Sequence, residues 1–273
     1  MSDLCKLTGH YGKFVDSHLI PRALTRPDAP GKPFVQAGEG NRPTRRWDSW
    51  YDPALTTREG EDILAALDDW AITELRKHEL VWTGWSGPGS PTDKVKLIPG
   101  MVEGIREITG IDPRRLRLFF LSLLWRAAAT VRPEFTAVSL PPDDLERLRL
   151  MLVLGDPGPL DFYPTQLTQL YTKGEIHNHT PLAETKIIPA YNARPERQIP
   201  FFRFYFDGLV AHIHRHASDD GYTAGQSSLT VGHGDKLTVV AVPYETSFQR
   251  KILTEIQKQA AARWPDVLER LNS

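Results

Sequence analysis

The sequence predicts an α+β protein in which a short, loop-rich amino-terminal third precedes a larger helical and antiparallel-strand region. Three observations predict it. Apolar residues Ile63, Leu64, Leu67, Trp70, Ala71 and Leu75 recur at helical spacing. Leu116 to Thr130 is apolar on nearly all sides and follows Asp112-Pro113, a carboxylate able to cap a helix and a proline suited to its first turn. Two apolar runs, Phe201 to Phe206 and Leu209 to His214, flank Asp207-Gly208, a dipeptide typical of tight two-residue hairpins.

Taken in order, residues 1–25 read as a hairpin, with Gly9-His-Tyr-Gly12 at the turn and Lys13-Phe-Val-Asp16 returning toward His18. Pro27, Pro30, Pro33 and Pro43, with Gly31, Gly38 and Gly40, predict an irregular loop over 26–50. A helix of about four turns follows from Glu61. Leu80 to Trp85 reads as a short strand, and Ser86-Gly-Pro-Gly-Ser-Pro91 as a boundary. That divides the chain into a module over 1–85 and a mixed helical and β-hairpin region over 86–273, able to pack with the first as one unit. Helices are expected near Pro99 to Thr109, from Asp112 to Thr130 as the central buried helix, and from Pro142 to Leu154. The last has acidic residues first and arginines later, as the helix dipole favours. Strands at Lys186 to Tyr191, around Asp207-Gly208 and at Leu237 to Val242 lead to a closing helix, Thr246 to Asn272, interrupted near Pro265.

At 273 residues, 40% hydrophobic and 25% charged, the chain can bury a substantial core. Its 33 basic and 34 acidic residues nearly cancel, so any nucleic-acid site needs a local basic patch. One cysteine excludes a four-cysteine zinc site within one protomer. The opening Met1-Ser-Asp-Leu-Cys5 carries no basic-then-apolar leader, and no apolar run approaches the length of a membrane span, so a cytoplasmic location away from the membrane is expected.

Cys5-Lys-Leu-Thr8-Gly9, then Val15-Asp-Ser-His18-Leu-Ile-Pro21, then Asp52 to Thr57-Arg-Glu-Gly60-Glu61, together resemble the HNH endonuclease-like treble-clef family of bacterial proteins, as a degenerate member lacking the zinc cysteines. In the family pattern an Asn precedes a Cys by five residues, a second Cys follows three later, and a His or acid comes next. Asp52 takes the Asn place, Thr57 and Gly60 the cysteine places and Glu61 the last, while Thr8 stands for the second cysteine of the first pair. The likeness continues through Leu67-Asp-Asp-Trp-Ala-Ile72, Leu118 to Arg126 and Phe202 to Gly208, and spans most of the chain. It implies a zinc-free HNH-like treble-clef module held by packing, and a metal-dependent nuclease hydrolysing phosphodiester bonds. His18 would be the base and Glu61 a ligand of Mg²⁺ or Mn²⁺. Asp52 would be a second ligand or the group orienting the imidazole. Ser17 stands where many active members carry an Asp ligand. The alternative is a catalytically inactive HNH-fold binding or scaffold protein contacting DNA, RNA or a protein partner. His18 then secures loop backbone, and Glu61 decorates a helical first turn.

Other clusters carry two readings each. Arg42, Arg45 and Arg46 beside Trp47, Trp50 and Tyr51 offer phosphate contacts and stacking platforms, as do Arg114, Arg115 and Arg117 at a helix start, or else they are surface charges and packing aromatics. His177 and His179, with the row His212, His214 and His216, either bind a transition metal such as zinc or form a solvated strand face opposite Ala211 and Ile213. Gly84, Gly87 and Gly89 form no phosphate loop, and Ser122 and Cys5 lack the setting of an activated nucleophile.

Overall fold

Asp112 accepts hydrogen bonds from the backbone N–H groups of Arg114 and Arg115, both at 3.0 Å, and so starts the helix on which the fold is built. The computed structural model describes residues 3–25, 34–38, 41–46, 49–86, 91–175, 177–190, 195–215 and 224–263. Along the chain come β1 (Asp3–Leu4), β2 (Tyr11–Gly12), β3 (Phe14–His18), β4 (Phe34–Gly38), β5 (Asn41–Arg46), β6 (Tyr51–Thr57) and α1 (Arg58–Lys77). Then follow β7 (Lys96–Leu97), β8 (Gly104–Ile108), α2 (Pro113–Ala129), α3 (Pro142–Leu154), β9 (Thr165–Leu170) and β10 (His177–His179). The chain continues with β11 (Leu182–Ile188), β12 (Arg197–Phe206), β13 (Leu209–His214), β14 (Leu237–Val242) and α4 (Phe248–Arg263). Helices and strands together make the protein α+β.

A seven-stranded sheet has the order β11-β12-β13-β9-β14-β8-β7, antiparallel except where β14 runs parallel to β9. Asp207 and Gly208, at φ 50° and 79°, turn β12 into β13; two successive positive φ angles are what the predicted hairpin requires. One face of this sheet, with Phe202, Phe204, Phe206, Ala211, Ile213 and Val239, joins Phe119, Phe120 and Trp125 of α2 in a continuous core. The same core takes in Cys5, Leu7, Leu55, Leu64 and Leu75, so residues on both sides of the predicted boundary share it. Among the described residues, no helix is long and apolar enough to cross a membrane.

Several elements differ from the sequence reading. The loop expected over 26–50 contains the hairpin β4–β5, with β10 parallel to β4. Pro43 is tolerated because β5 is an edge strand, where a missing N–H breaks no ladder on the open side. The helix expected near 99–109 is replaced by β8. There Gly104, Arg106 and Ile108 are buried while Ile105 and Glu107 are exposed, a period of two that outweighs the helical spacing of the two isoleucines. Residues 82–84 form a 3₁₀ turn rather than a strand, and Trp82 Nε1 donates to the Leu170 carbonyl at 3.0 Å. Pro265 lies outside the described residues.

Of the basic residues at the start of α2, Arg117 is buried in the fold, while Arg114 and Arg115 are exposed. Arg117 is buried and donates to the carbonyls of Pro157, Pro159, Phe162 and Tyr163 at 2.5–3.3 Å, and burial pulls its pKa down to about 10. Arg115 lies 4.5 Å from the Trp70 ring centre, and Arg114 is 3.5 Å from Asp156.

Arg126 ties the amino-terminal strands to the helices. Its side chain is 1% exposed; Nη1 reaches Asp68 Oδ2 at 2.8 Å and the His18 carbonyl at 3.1 Å, and Nη2 donates to Ser122 Oγ at 3.0 Å. Burial raises the Asp68 carboxyl above its ordinary pKa even against the opposing guanidinium. Replacing Arg126 with Met should therefore cost about 3–5 kcal/mol at neutral pH by leaving a buried carboxylate without its cation. Urea unfolding should show a smaller loss as pH is lowered, because the raised pKa lets Asp68 take up a proton in the folded state as pH falls.

Candidate functional site

Backbone hydrogen bonds shape the turn between β1 and β2: Cys5 N–H donates to the His10 carbonyl at 3.0 Å, and Gly9 N–H to the Cys5 carbonyl at 2.9 Å. Lys6 N–H reaches the Leu55 carbonyl at 3.1 Å, docking this turn on β6. Because β6 runs straight into α1, the first helical turn lies against Cys5. A Cβ at Gly60 would stand 2.7 Å from Cys5 Sγ, so the sulfur occupies the space that any side chain at position 60 would need. Thr8 N–H points at the same sulfur at 3.4 Å. Burial alone would raise the Cys5 pKa, but hydrogen bonds from Thr8 and Thr57, side chain and backbone, together outweigh it and hold the thiol below its ordinary value. Cys5, Thr8, Thr57 and Gly60, two from the turn and two from the helix start, thus meet around one buried sulfur.

The residues singled out for catalysis lie nearby but are directed differently. In the antiparallel pair β3–β6, Ser17 faces Asp52 and His18 faces Tyr51. Directly opposed residues share a face and successive ones alternate, so His18 and Asp52 project from opposite faces of the ribbon. Asp52 is 2% exposed. Its Oδ1 accepts the Ala54 N–H at 2.8 Å and its Oδ2 the Thr130 hydroxyl at 2.6 Å. The His18 carbonyl is held by Arg126, and its ring Nε2 is shielded from solvent. Glu61 accepts a hydrogen bond from the Thr56 hydroxyl at 3.2 Å and lines an open pocket of about 700 Å³ with Lys13, Phe14, Asp16, Pro53 and Arg58. His18 and Asp52 do not line that pocket.

Arg42, Arg45 and Arg46 fall on edge strand β5, with Arg45 and Arg46 opposite Val35 and Phe34; Trp47 lies outside the described residues. Trp50 is a core residue whose ring meets Phe135 edge-on at 5.7 Å, whereas Tyr51 is 41% exposed.

Two of the row's histidines, His212 and His214, fall among the described residues. His212 and His214 share the outer face of the large sheet, while Ala211 and Ile213 pack inward. On that outer face His214 is buried, while an open pocket lined by both imidazoles reaches the start of α4 at Phe248. His216 lies outside the described residues. Arg203 Nε donates to His212 Nε2 at 3.2 Å, which occupies the lone pair a metal would use. Among the described residues, no three His, Cys, Asp or Glu side chains gather as a metal site. Arg203, ion-paired to Glu184 at 2.6 Å, was not singled out by motif reading. Its signal was the lone charge within Phe201-Phe-Arg203-Phe-Tyr-Phe206, which alternation places opposite the apolar core.

The chain matches no protein-family model, no curated protein and no solved structure.

Burial pushes the imidazole pKa values of His177, His212 and His214 down to about 4, about 3 and about 4, with the charge of Arg203 adding to burial at His212 and that of Lys186 at His214. Each histidine therefore lends stability that is present above its ordinary value of 6.5 and is lost as pH falls through its folded value. Between those limits the unfolded chain binds the extra protons, so stability should fall by about 1.4 kcal/mol per pH unit for each histidine. Urea unfolding followed from about pH 7 to about pH 4.5 should show this slope, and His214→Gln should make it shallower.

Proposed function

We propose that the chain is a zinc-free treble-clef protein of HNH type that uses its fold to bind, not to cut. The treble-clef part of this reading draws on the meeting of Cys5, Thr8, Thr57 and Gly60, the positions at which the resembling family places zinc cysteines. The non-cleaving part is carried by Asp52. Asp52 is buried, each of its oxygens accepts a hydrogen bond inside the fold, and it lies on the face opposite His18, which supports a structural role in fixing β6 against α2 over a place beside His18 at a metal ion. Contacts to a DNA or RNA backbone fall to Arg42, Arg45 and Arg46 on the edge strand.

A second reading keeps the enzyme: a metal-dependent endonuclease with His18 as base and Glu61 at the ion. One observation favours it, the open pocket in which Glu61 lies with a second carboxylate, Asp16.

Three experiments test these readings. Thr8→Cys, Thr57→Cys and Gly60→Cys combined, with the native Cys5, should bind one zinc per chain and regain thermal stability on loading. Failure to bind zinc would overturn the treble-clef reading. Plasmid, single-stranded DNA and RNA incubated with Mg²⁺ or Mn²⁺ should stay intact with both the native protein and His18→Ala. Nucleic-acid binding should weaken when Arg42, Arg45 and Arg46 become Ala, the salt slope falling by about 1 per lost phosphate contact. Cleavage by the native protein that disappears in His18→Ala would instead establish the nuclease. No binding to any of the three nucleic acids would leave a protein partner as the target.

A further inference from the structure

The outer face of the large sheet carries a cleft remote in sequence from the HNH-like module. Its larger lobe, about 440 Å³, is lined by Gln166 on β9, Glu184 and Lys186 on β11, Phe201 and Arg203 on β12, His212 and His214 on β13, and Phe248 of α4. A smaller lobe of about 200 Å³ shares Arg203, His212 and Phe248 and extends toward Thr168 and Gln249, with Glu103 at its edge. The larger lobe is within the size range of small-molecule sites, and its walls combine apolar surface with a few convergent polar groups.

Arg203 is the central group. It is 5% exposed, its guanidinium lies 4.6 Å from the Phe248 ring centre and 5.5 Å from that of Phe201, and it is fixed by Glu184 through Nη1 and by His212 through Nε. Its Nη2 makes no hydrogen bond to a described residue. An arginine held so rigidly, with one donor nitrogen left over in a cleft, costs a ligand little ordering entropy. The charges in the larger lobe are Arg203 and Lys186 against Glu184, an excess of one positive charge that suits a monoanion. A phosphate dianion would bring a second negative charge toward Glu184. The histidines stay neutral and contribute hydrogen bonds rather than charge. Phe248, 61% exposed at the start of α4, is a large aromatic left open at this site.

We propose that this cleft binds a small organic carboxylate, with Arg203 Nη2 and Lys186 receiving the carboxylate and Phe201 and Phe248 enclosing an apolar body. The inference is independent of whether the amino-terminal module binds or cuts nucleic acid.

Ligand-observed fluorine and proton NMR on the full chain, with 4-fluorobenzoate, phenylacetate and hexanoate as probes, tests it. At least one should bind with a Kd of about 1 mM or tighter. The uncharged benzyl alcohol and inorganic phosphate should each bind about tenfold more weakly or not at all. Arg203→Gln should abolish binding but leaves Glu184 unpaired and can disturb folding. Phe248→Ala and Lys186→Ala, both at accessible side chains, provide the cleaner arms. Each should weaken binding about tenfold with an unchanged melting temperature. Silence of all three carboxylates, equal binding of benzyl alcohol, or undiminished binding in both accessible-site variants would overturn the proposal.

Discussion

The guanidinium of Arg126 and the carboxylate of Asp68 meet where the amino-terminal ribbon, α1 and α2 come together, and most of the tertiary arrangement is registered on that contact. One cation holds the end of β3 through the His18 carbonyl, the middle of α1 through Asp68, and its own helix through Ser122. Neither charge is stable alone at that depth, so the three elements are placed together or not at all. Asp52 and Thr130 repeat the principle one turn further along α2, where a hydroxyl just past the helix end secures β6. The amino-terminal module is thus bound to the central helix by polar contacts sunk in a shared apolar core.

A further buried contact joins the turn after β1 to the start of α1. Here a single buried sulfur does so by contact, with Gly60 giving it room and Thr8 and Thr57 supplying hydrogen bonds. The Leu7, Leu55 and Leu64 side chains continue this contact into the core shared with α2.

The two faces of the large sheet divide its roles. The inner face is mostly apolar and anchors α2, with Arg106 and Gln169 paired at 2.9 Å on it, while the outer face gathers Arg203, Glu184, His212 and His214 beneath the start of α4. Burial of such groups is tolerated because they satisfy one another: the arginine is held by a carboxylate and an imidazole, and His177 is paired with Gln249 at 2.7 Å.

Local chemistry was legible in the sequence wherever a few adjacent residues decide the outcome. Asp112-Pro113 capped α2, Asp207-Gly208 turned the hairpin, and the helical spacing from Ile63 to Leu75 marked α1. The α+β class followed from these, and Cys5, Thr8, Thr57 and Gly60, picked out by the resemblance rather than by local chemistry, are positions that do meet in space. What the sequence left open depended on partners distant along the chain. The hairpin at 34–46 formed despite its prolines and glycines because an edge strand tolerates Pro43, and β8 formed where a helix was expected because β14 was available to pair with it. The face on which each site residue lies was likewise a tertiary matter. Cross-strand register set His18 and Asp52 on opposite sides, and the pairing of β11, β12 and β13 assembled Arg203, Glu184 and His212 from three separate strands. Composition and local spacing determine which elements a chain can form, because those free energies arise within a few residues. Which side chains then share a cleft is decided by long-range pairing and burial, whose energies exist only once the chain has closed on itself.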